Sequence, residues 1–327
     1  HLSMNLKKLI AELRAIVIIV IIVLTVKVTL LEAYIVPTGS MENTIMTGDF
    51  LIGSRFVYGM RTPDWIGIPY TDIGFTIPYI KFPEFKIPKK NDVLIFKYPR
   101  DKYVKYVKRC LGGPGDTILI QNKNVFLNGE EVLLDLKGKF ISPIMPKSYP
   151  QENIFLSSDI NINKDNLGPI YIPKKGDEIQ IHSGTNWKFL LPIIMMDGHR
   201  ARLVSDDIIY DFTLQDPNDI FRRKGSKDIF DKYFPKGQLI TPWSRALKDE
   251  HYKYLEIDGL PISDWETYTI NQNYYWAMGD NRDDSLDSRY WGFVPENGIL
   301  GEAIFVYFSL NLDSWLPRWG RIGTIID

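Results

Sequence analysis

The stretch K-Y-V-K-R-C-L-G-G-P-G-D, from Lys105 to Asp116, combines a strand-like run with a turn rich in glycine and proline. Side chains of a β-strand alternate between its two faces, so Tyr106, Lys108 and Cys110 are predicted to share one face. The glycines and the proline that follow favour a turn. The stretch therefore predicts a β-strand on which a lysine lies between an aromatic and a small apolar side chain.

The sequence on either side of this stretch also favours short strands joined by turns. Asp92–Tyr98 is typical of a second strand, and Ile118–Val132 of a hairpin that continues through a turn at Asn128-Gly129. Leu255–Ile262 has the pattern of a further hairpin, and the 20 prolines and 24 glycines suit many turns. After residue 35, a helical period is expected only around Asp219–Tyr233. These patterns predict a mainly β protein with antiparallel sheets.

Composition limits the classes of protein to which the chain can belong. Its 327 residues suffice for one large domain or two modest ones, and 45% hydrophobic residues can form a sizeable core. The 39 lysines and arginines nearly balance the 40 aspartates and glutamates, so charge gives no support for a nucleic-acid partner. Cys110 is the single cysteine, which excludes an internal disulfide and a cysteine-based metal motif. None of the histidines has the spacing of a metal ligand: they are His1, His182, His199 and His251.

The most apolar stretch of the chain is Ile16–Val26, which reads I-V-I-I-V-I-I-V-L-T-V. Extended to Ile10 and Leu31, it covers roughly 20 residues, which predicts one N-terminal transmembrane helix, although charged residues interrupt it. Basic residues ahead of it place the N-terminus in the cytoplasm and the chain after about residue 35 outside, by the positive-inside rule. Two alternatives stay open: a cleaved secretory signal, for which an A-x-A-like cleavage site is missing, and a buried or interfacial helix.

A candidate nucleophile lies in the stretch V-P-T-G-S-M-E-N-T-I-M-T-G-D-F, from Val36 to Phe50. Its serine, Ser40, follows a proline that stiffens the chain and a glycine that allows a ligand to come close. A serine hydroxyl is a weak nucleophile near neutral pH and needs a neighbouring base. Lys108 could be that base, since burial lowers a lysine pKa from about 10.4 by up to about 3–5 units. The alternatives are a lysine that extends to solvent and a serine that only forms a turn.

The third unusual segment is M-G-D-N-R-D-D-S-L-D-S-R-Y-W-G-F-V-P, from Met278 to Pro295. Nine of the eleven residues from Asp280 to Tyr290 are polar or charged. Taken alone, this pattern is typical of a solvated loop or of a calcium site. The segment lacks the glycine and the terminal glutamate of an EF-hand loop, which argues against calcium.

Together these segments resemble the bacterial type I signal peptidase family, the leader peptidases of the cytoplasmic membrane. The hydrophobic stretch is followed, in the family's order, by P-T-G-S-M, G-D, D-V-L-I-F-K-Y-P, Y-V-K-R-C-L-G-G-P-G-D and M-G-D-N-R-D-D-S-L-D-S-R-Y-W-G-F-V-P. The resemblance implies an antiparallel β-sheet and coiled-barrel catalytic core at 34–136 and 255–327. It also implies a cytoplasmic stub and anchor at 1–33 and an inserted variable domain at 137–254, where the sequence becomes polar and irregular.

The resemblance implies a role for each matching residue of the site. Ser40 looks like the nucleophile and Lys108 like its general base, a Ser/Lys dyad that needs no histidine. The Ser40 N–H and the Thr38 hydroxyl would hold the oxyanion. Four further residues would support the dyad: Ser285 by a hydrogen bond to the lysine amine, Asp287 and Arg289 by a bracing ion pair, and Asp280 as a structural acid.

The resemblance also implies two substrate pockets that accept small side chains, as in the Ala-x-Ala pattern of secretory signals. One receives the residue before the cut and the other the residue two positions further back. Their lining would be Met41, Ile45 and Tyr106 for the first pocket, and Tyr34 and Val36 for the second. The chain departs from the family at Asn43, where a proline is frequent, and Glu42 precedes it. This departure bears on the local turn geometry and on substrate preference.

The implied activity is that of a membrane-anchored serine endopeptidase that removes N-terminal signal peptides from secretory preproteins through an acyl-enzyme. No metal or cofactor would be required, and the partners would be preproteins and the lipid bilayer, with no nucleic acid and a monomeric enzyme. The implied location is the cytoplasmic (inner) membrane of a bacterium, single-pass, with the catalytic domain on the extracytoplasmic or periplasmic side.

Two other functions compete with this interpretation. A self-cleaving transcriptional regulator on the related Ser/Lys fold would begin with a DNA-binding domain, whereas this chain begins with a hydrophobic stretch. An inactive membrane-anchored homologue could act as a binding or scaffold protein. The complete set of expected site residues favours an active enzyme over such a scaffold.

Overall fold

The computed structural model of the chain describes residues 8–19, 31–59, 62, 65–67, 74–78, 80, 82–134, 137–156, 161–204, 209–215, 237–244 and 247–326. Residues 8–19 form helix α1, whose large apolar side chains are exposed. Within these ranges, no helix combines the length and the apolar character needed to cross a bilayer. The predicted span from Ile10 to Leu31 is described only at its two ends, because residues 20–30 lie outside the described part.

The rest of the described chain is mainly β-structure, as the sequence predicts. The strands are β1 Leu31–Ile35, β2 Asp49–Ser54, β3 Trp65–Gly67, β4 Gly74–Thr76, β5 Val93–Tyr98, β6 Asp101–Gly112, β7 Thr117–Gln121, β8 Asn124–Leu127, β9 Glu130–Val132, β10 Leu167–Tyr171, β11 Glu178–Gln180, β12 Ala201–Val204, β13 Ile209–Phe212, β14 Gly237–Ile240, β15 Leu255–Ile257, β16 Leu260–Pro261, β17 Thr267–Thr269, β18 Tyr274–Met278, β19 Val294–Pro295 and β20 Ile299–Ser309. The helices are α2 Trp187–Met196, α3 Ser288–Trp291 and the 3₁₀ helices Asp249–Tyr254, Ile262–Asp264, Glu296–Gly298 and Trp319–Arg321.

Two compact units make up the chain, and the first is built on a three-stranded antiparallel sheet. Its segments are His1–Thr38, Ile45–Pro88 and Leu300–Asp327. β2 lies between β1 and β20 and pairs antiparallel with both. The buried Asp49 accepts hydrogen bonds from Ser309 Oγ and from Arg321 Nη2, each at 2.6 Å. A charged partner and a hydroxyl thus satisfy a carboxylate that would be costly to bury alone.

The second compact unit contains Ser40 and Lys108. Its segments are Gly39–Thr44 and Lys89–Ile299. Its main sheet has the order β5-β6-β18-β19, and each pair is antiparallel. β6 is an interior strand, with Lys108 opposite Leu94 of β5 and Arg109 opposite Met278 of β18. Hydrogen bonds along both edges fix the backbone of an interior strand, so the side chains of β6 project from a well-defined position.

The remaining sheets of the second unit enclose its hydrophobic core. A four-stranded sheet has the order β10-β7-β8-β9, and a five-stranded sheet the order β14-β13-β12-β15-β16. The pairing of β13 with β14 is parallel, whereas the other pairs in these two sheets are antiparallel. Eight residues of α2 are buried, and seven of them belong to the core.

The predicted strands and turns are confirmed in the order in which the sequence gives them. β5, β6 and the β7–β8–β9 run match the three patterns around Lys105–Asp116. The turn between β8 and β9 has left-handed φ values of 53° at Asn128 and 86° at Gly129, which these two residue types tolerate. The hairpin predicted at Leu255–Ile262 forms β15 and β16. The boundaries predicted for an inserted domain stay a prediction.

The sequence prediction was wrong about helices, because α2 was not foreseen. Its sequence, W-K-F-L-L-P-I-I-M-M, is apolar on nearly every side and contains Pro192, which normally argues against a helix interior. Such a segment has no polar face, so the 3.6-residue period on which helix prediction depends is missing. Asn186 begins the helix by accepting a hydrogen bond from Phe189 N. The helix predicted around Asp219–Tyr233 lies outside the described residues.

Candidate active site

Lys108 and Ser40 are in direct contact in the second unit. The side-chain nitrogen Nζ of Lys108 lies 2.6 Å from Ser40 Oγ and donates to the carbonyl oxygen of Val107 at 3.1 Å. It also lies 5.2 Å from the centre of the Tyr106 ring, which confirms that these two side chains share one face of β6. Lys108 is only 4% exposed, so the alternative of a lysine extending to solvent is wrong.

Burial makes the ammonium of Lys108 lose its proton more readily than that of an exposed lysine. It lowers the pKa of Lys108 to about 8, while the carboxylates of Asp287 and Asp280 oppose that shift and Arg289 adds to it. At that pKa about one amine in five is neutral at pH 7.4, against roughly one in a thousand for a free lysine. The lone pair that a general base requires is therefore available near neutral pH.

A compact turn, Gly39–Thr44, presents Ser40 to the lysine. Within it, Glu42 N donates to Gly39 O at 3.0 Å, and Thr44 N donates to Met41 O at 3.1 Å. Asn43 has a φ of 80°, in the left-handed region that asparagine tolerates better than most residues. The turn buries Ser40 to 8% exposure and directs its hydroxyl at Lys108.

Asp280 joins the Ser40 turn to the strand that carries Lys108. Arg109 Nε and Nη2 donate to the two oxygens of Asp280 at 2.8 and 2.9 Å, in a two-point ion pair that is almost fully buried. Thr44 Oγ1 donates to Asp280 Oδ2 at 2.6 Å. A carboxylate bonded in this way to two segments holds both of them, which agrees with the structural role predicted for Asp280.

Asp287 and Arg289 form the ion pair that the resemblance implies. Arg289 Nε and Nη2 donate to Asp287 Oδ1 and Oδ2 at 2.9 and 2.8 Å, and both side chains are buried. Burial would raise the pKa of Asp287, but the charge and hydrogen bonds of Arg289 bring it below its usual value. The same carboxylate accepts from Gly279 N and caps α3 by accepting from Arg289 N, each at 3.2 Å.

Ser285 lies inside the site, but the hydrogen bond expected between it and the Lys108 amine is not present. Its hydroxyl is buried, and its interaction with Asp287 helps to hold the pKa of that carboxyl below its usual value. A Cβ atom added at Gly279 would come within 2.3 Å of Ser285 Oγ and 2.5 Å of Ser40 O. Only glycine therefore allows the chain that follows β18 to pass between the two serines.

The predicted pocket residues are mostly buried. Met41 and Tyr106 belong to the second unit, where Met41 Sδ accepts from Asp280 N at 3.4 Å and Tyr106 stacks on Tyr98 with ring centres 4.5 Å apart. The other predicted pocket residues and the expected oxyanion donor fall in the first unit. Of these, Tyr34, Val36 and Ile45 are buried, whereas Thr38, the expected oxyanion donor, is exposed.

Several residues of the site were missed from the sequence. Arg109, Thr44 and Gly279 received no role there, although each contacts or packs beside Asp280 or Ser40. The signal for Arg109 was present, because an arginine on an apolar interior strand needs a buried anion. In the part of the chain that the structure describes, no group of three or more His, Cys, Asp or Glu side chains is arranged to hold a metal ion.

Comparison with known proteins connects this geometry to a family. The family model described as signal peptidase, peptidase S26, matches residues 9–167 and 233–308. Signal peptidase I of Buchnera aphidicola subsp. Baizongia pistaciae is 28% identical over 312 residues, which cover 94% of this chain and 80% of that protein. Signal peptidase I of Helicobacter pylori strain 26695 is 27% identical over 326 residues, or 93% and 88% of the two chains.

A solved structure gives a weaker match. The crystal structure of a signal peptidase I from Enterococcus faecalis V583 is 16% identical and covers 66% of this chain and 97% of that chain. Its TM-score is 0.23, a likeness too weak to support an argument about the fold.

Proposed function

Since the chain belongs to the signal peptidase family, peptidase S26, its reaction is the removal of signal peptides, and we propose that Ser40 and Lys108 carry it out. The observation behind this proposal is the 2.6 Å contact between Lys108 Nζ and Ser40 Oγ. That contact pairs a hydroxyl with an amine whose pKa burial lowers to about 8. In the described part of the chain, Lys108 forms no ion pair with a carboxylate that would hold its proton.

The proposed reaction has two steps, acylation of Ser40 and hydrolysis of the acyl-enzyme, and Lys108 is the base in both. Neutral Lys108 takes the hydroxyl proton as Ser40 Oγ attacks the scissile carbonyl carbon. The ammonium of Lys108 then returns the proton to the leaving amine, which departs as the N-terminus of the mature protein. Water, deprotonated by Lys108, hydrolyses the ester on Ser40, and Lys108 returns the proton to Ser40 Oγ as the signal peptide leaves.

We assign the negative charge of the tetrahedral intermediate to two donors, the Ser40 N–H and the Thr38 hydroxyl. Thr38 lies at an exposed position two residues before the nucleophile. Asp280, Asp287 and Arg289 act through other residues: their buried ion pairs hold Ser40 and Lys108 at the reacting distance. Ser285, whose buried hydroxyl interacts with Asp287, would bond the amine when Lys108 is protonated.

The substrates are secretory preproteins, and we propose that cleavage follows small residues in an Ala-x-Ala pattern. Met41, Ile45 and Tyr106 would line the pocket for the residue before the cut. Tyr34 and Val36 would line the pocket two residues further back. Tyr106 already contacts the amine of Lys108 through its ring, so a side chain resting on Tyr106 would lie beside the base.

We further propose that the enzyme is anchored in the cytoplasmic membrane of a bacterium by a single N-terminal helix. The exposed apolar side chains of α1 support this: Leu9, Ile10, Leu13, Ile16, Val17, Ile18 and Ile19. The catalytic part would lie on the extracytoplasmic side and act as a monomer. Residues 34–136 and 255–327 would form the catalytic core, with 137–254 as a variable insertion.

Cleavage of a preprotein with an Ala-x-Ala site, in detergent micelles, tests the dyad. We expect the wild type to cut after the last alanine and both Ser40→Ala and Lys108→Ala to lose at least about 1,000-fold in kcat/KM. Lys147→Met, which changes an exposed lysine, should cut as the wild type does. Full activity of Lys108→Ala would show that another group is the base. An inert wild type would favour a membrane-anchored scaffold instead.

A further inference from the structure

A short segment at residues 137–142, named the strap here, runs beside the loop that carries Asp280. Lys139 N donates to Asp280 O at 2.9 Å, and Arg282 N donates to Lys139 O at 3.0 Å. These two bonds make a parallel bridge between Lys139 and Asn281. The strap therefore adds a strand-like edge to this loop on one side of Asn281.

Asn281 is bonded on its other edge to the Ser40 turn. Its backbone N–H donates to Ser40 O at 3.1 Å, and its side-chain Nδ2 donates to Gly39 O at 3.3 Å. In an extended chain, the N–H of a residue points to one edge. The C=O of the preceding residue and the N–H of the following residue point to the other edge. Lys139, Asn281 and Ser40 thus lie in a row and are joined by backbone hydrogen bonds.

Two side-chain contacts join the strap to the Ser40 turn directly. Lys139 Nζ forms an ion pair with Glu42 Oε2 at 2.6 Å, and Asn43 Nδ2 donates to Lys137 O at 3.1 Å. Proline could not replace Asn43 here, because its ring fixes φ near −65° and this residue has a φ of 80°. Asn43, where the sequence analysis notes a departure from the family, and its neighbour Glu42 therefore both contact the strap through their side chains.

Asp283 fixes the far end of the strap. Its Oδ2 accepts from Ile141 N at 2.7 Å and from Ser142 N at 2.9 Å, and its Oδ1 accepts from Lys123 and Lys164, each at 2.9 Å. Burial would raise the pKa of Asp283, but these hydrogen bonds hold it well below its usual range. The far end of the strap is therefore held by a carboxylate that stays charged near neutral pH.

We propose that the strap is a positioning element for the nucleophile, in which Lys139 holds the Ser40 turn through Glu42 and through Asn281. The inference rests on the proposed role of Ser40. The Ser40 carbonyl, bonded to Asn281, fixes one end of the residue whose hydroxyl must meet Lys108. Without the bond to Asn281, the Ser40 turn would lose the short contact between Ser40 Oγ and Lys108 Nζ for part of the time. Small displacements of a nucleophile lower the reaction rate strongly.

The Glu42–Lys139 pair gives a clean test, because its side chains are partly exposed and can be replaced without leaving a buried charge. We expect Lys139→Met and Glu42→Gln each to lower kcat about threefold to tenfold, with KM within about twofold of wild type. The double variant should be no slower than the slower single variant. The exchanged pair, Glu42→Lys with Lys139→Glu, should recover most of the lost rate.

Two further measurements separate positioning from a general loss of stability. The pH midpoint of kcat/KM should stay at the wild-type value in these variants, because the burial of Lys108 is unchanged. Amide hydrogen exchange of the segment that contains Asn281 should become faster than in wild type, while that of β6 should not change. Asn43→Gly keeps the left-handed backbone and removes the bond to Lys137, so it should behave as Lys139→Met does. Lys147→Met serves as the exposed-lysine control.

The outcomes distinguish this inference from the proposed function. If Ser40→Ala is inactive while Lys139→Met and Glu42→Gln both keep wild-type kcat, the strap inference is overturned and the dyad stands. The same holds if the exchanged pair recovers nothing. If Ser40→Ala cuts as fast as wild type, the nucleophile assignment fails, and the strap inference fails with it.

Discussion

Lys108 and Arg109, consecutive residues of β6, project from opposite faces of the same strand, and of the two only Arg109 forms an ion pair in the described structure. Both side chains are buried to within a few per cent. Arg109 keeps its charge against the carboxylate of Asp280, whereas Lys108 contacts a hydroxyl, a carbonyl and an aromatic ring. One strand thus carries a fixed cation on one face and a group that loses its proton near neutral pH on the other.

This difference predicts the pH dependence of cleavage. If neutral Lys108 is the base, kcat/KM should rise about tenfold per pH unit in acid and level off above a midpoint near the pKa of about 8. The measurement is kcat/KM for an Ala-x-Ala preprotein from pH 5 to 11, with circular dichroism at each pH to confirm folding. A midpoint near 10.5, the value of an ordinary lysine, would contradict the assignment of a desolvated base.

The depressed pKa of Lys108 also predicts a cost in stability. Below about pH 8 the amine is protonated in both the folded and the unfolded chain, so the burial penalty on its charge is fully present. Between about pH 8 and 10.5 only the unfolded chain keeps the proton, and the penalty disappears. Lys108→Met should therefore raise the free energy of unfolding by about 2 kcal/mol at pH 7, after allowing for the lost contact with Ser40.

Urea unfolding of Lys108→Met and wild type at pH 7 and above pH 10.5 measures this effect. Lys108→Met should be the more stable of the two at pH 7, and above pH 10.5 it should lose that advantage, which leaves only the cost of the lost contact with Ser40. Lys147→Met replaces an exposed lysine and should change the unfolding free energy by less than about 0.5 kcal/mol at either pH. A Lys108→Met protein less stable than wild type at pH 7 would refute the burial penalty.

Gly279 predicts a steric requirement that is independent of charge. A Cβ at this position would come within 2.5 Å of Ser40 O and 2.3 Å of Ser285 Oγ, so Gly279→Ala must displace one or both serines. We expect kcat/KM to fall at least about 100-fold. Gly113→Ala is the matched control, since its Cβ would meet Tyr275 at an ordinary 3.8 Å. Equal activity of the two variants would mean that the segment after β18 can shift without disturbing the site.

The sequence was sufficient for much of the site, because its chemistry lies in short segments. Ser40, Lys108, Asp287 and Arg289 could be predicted from their motifs, and the structure places all four in one unit with the expected contacts. Contacts between distant segments were not predictable in this way. The strap bonds the loop around Asn281 through backbone groups of Lys139, and backbone groups carry no residue-type signal.

The same distinction applies to the fold. Strands with alternating pattern and turns with asparagine or glycine were predicted, since local chemistry determines them. α2 was missed because its sequence is apolar on nearly every side and so lacks a polar face. The parallel pairing of β13 with β14 is also invisible locally, as it depends on residues far apart in the chain.

The last prediction concerns the charges around Lys108. The carboxylate of Asp287 raises the pKa of Lys108, and the guanidinium of Arg289 lowers it by a smaller amount. Asp287→Asn removes the carboxylate that raises the pKa of Lys108 and leaves the guanidinium that lowers it. The pKa of Lys108 should therefore fall below about 8. The midpoint of kcat/KM should then move to lower pH, provided that the protein still folds.

Folding is the difficulty with this variant, because Arg289 would remain buried without its partner, at a cost of about 3–5 kcal/mol. A double variant, Asp287→Asn with Arg289→Met, removes that charge as well. Because Asp287 has the larger influence on Lys108, the midpoint of the double variant should lie between those of wild type and Asp287→Asn. Circular dichroism would identify the pH range in which each protein is folded. A midpoint that stays in place or moves to higher pH in Asp287→Asn would show that this carboxylate does not act on the base.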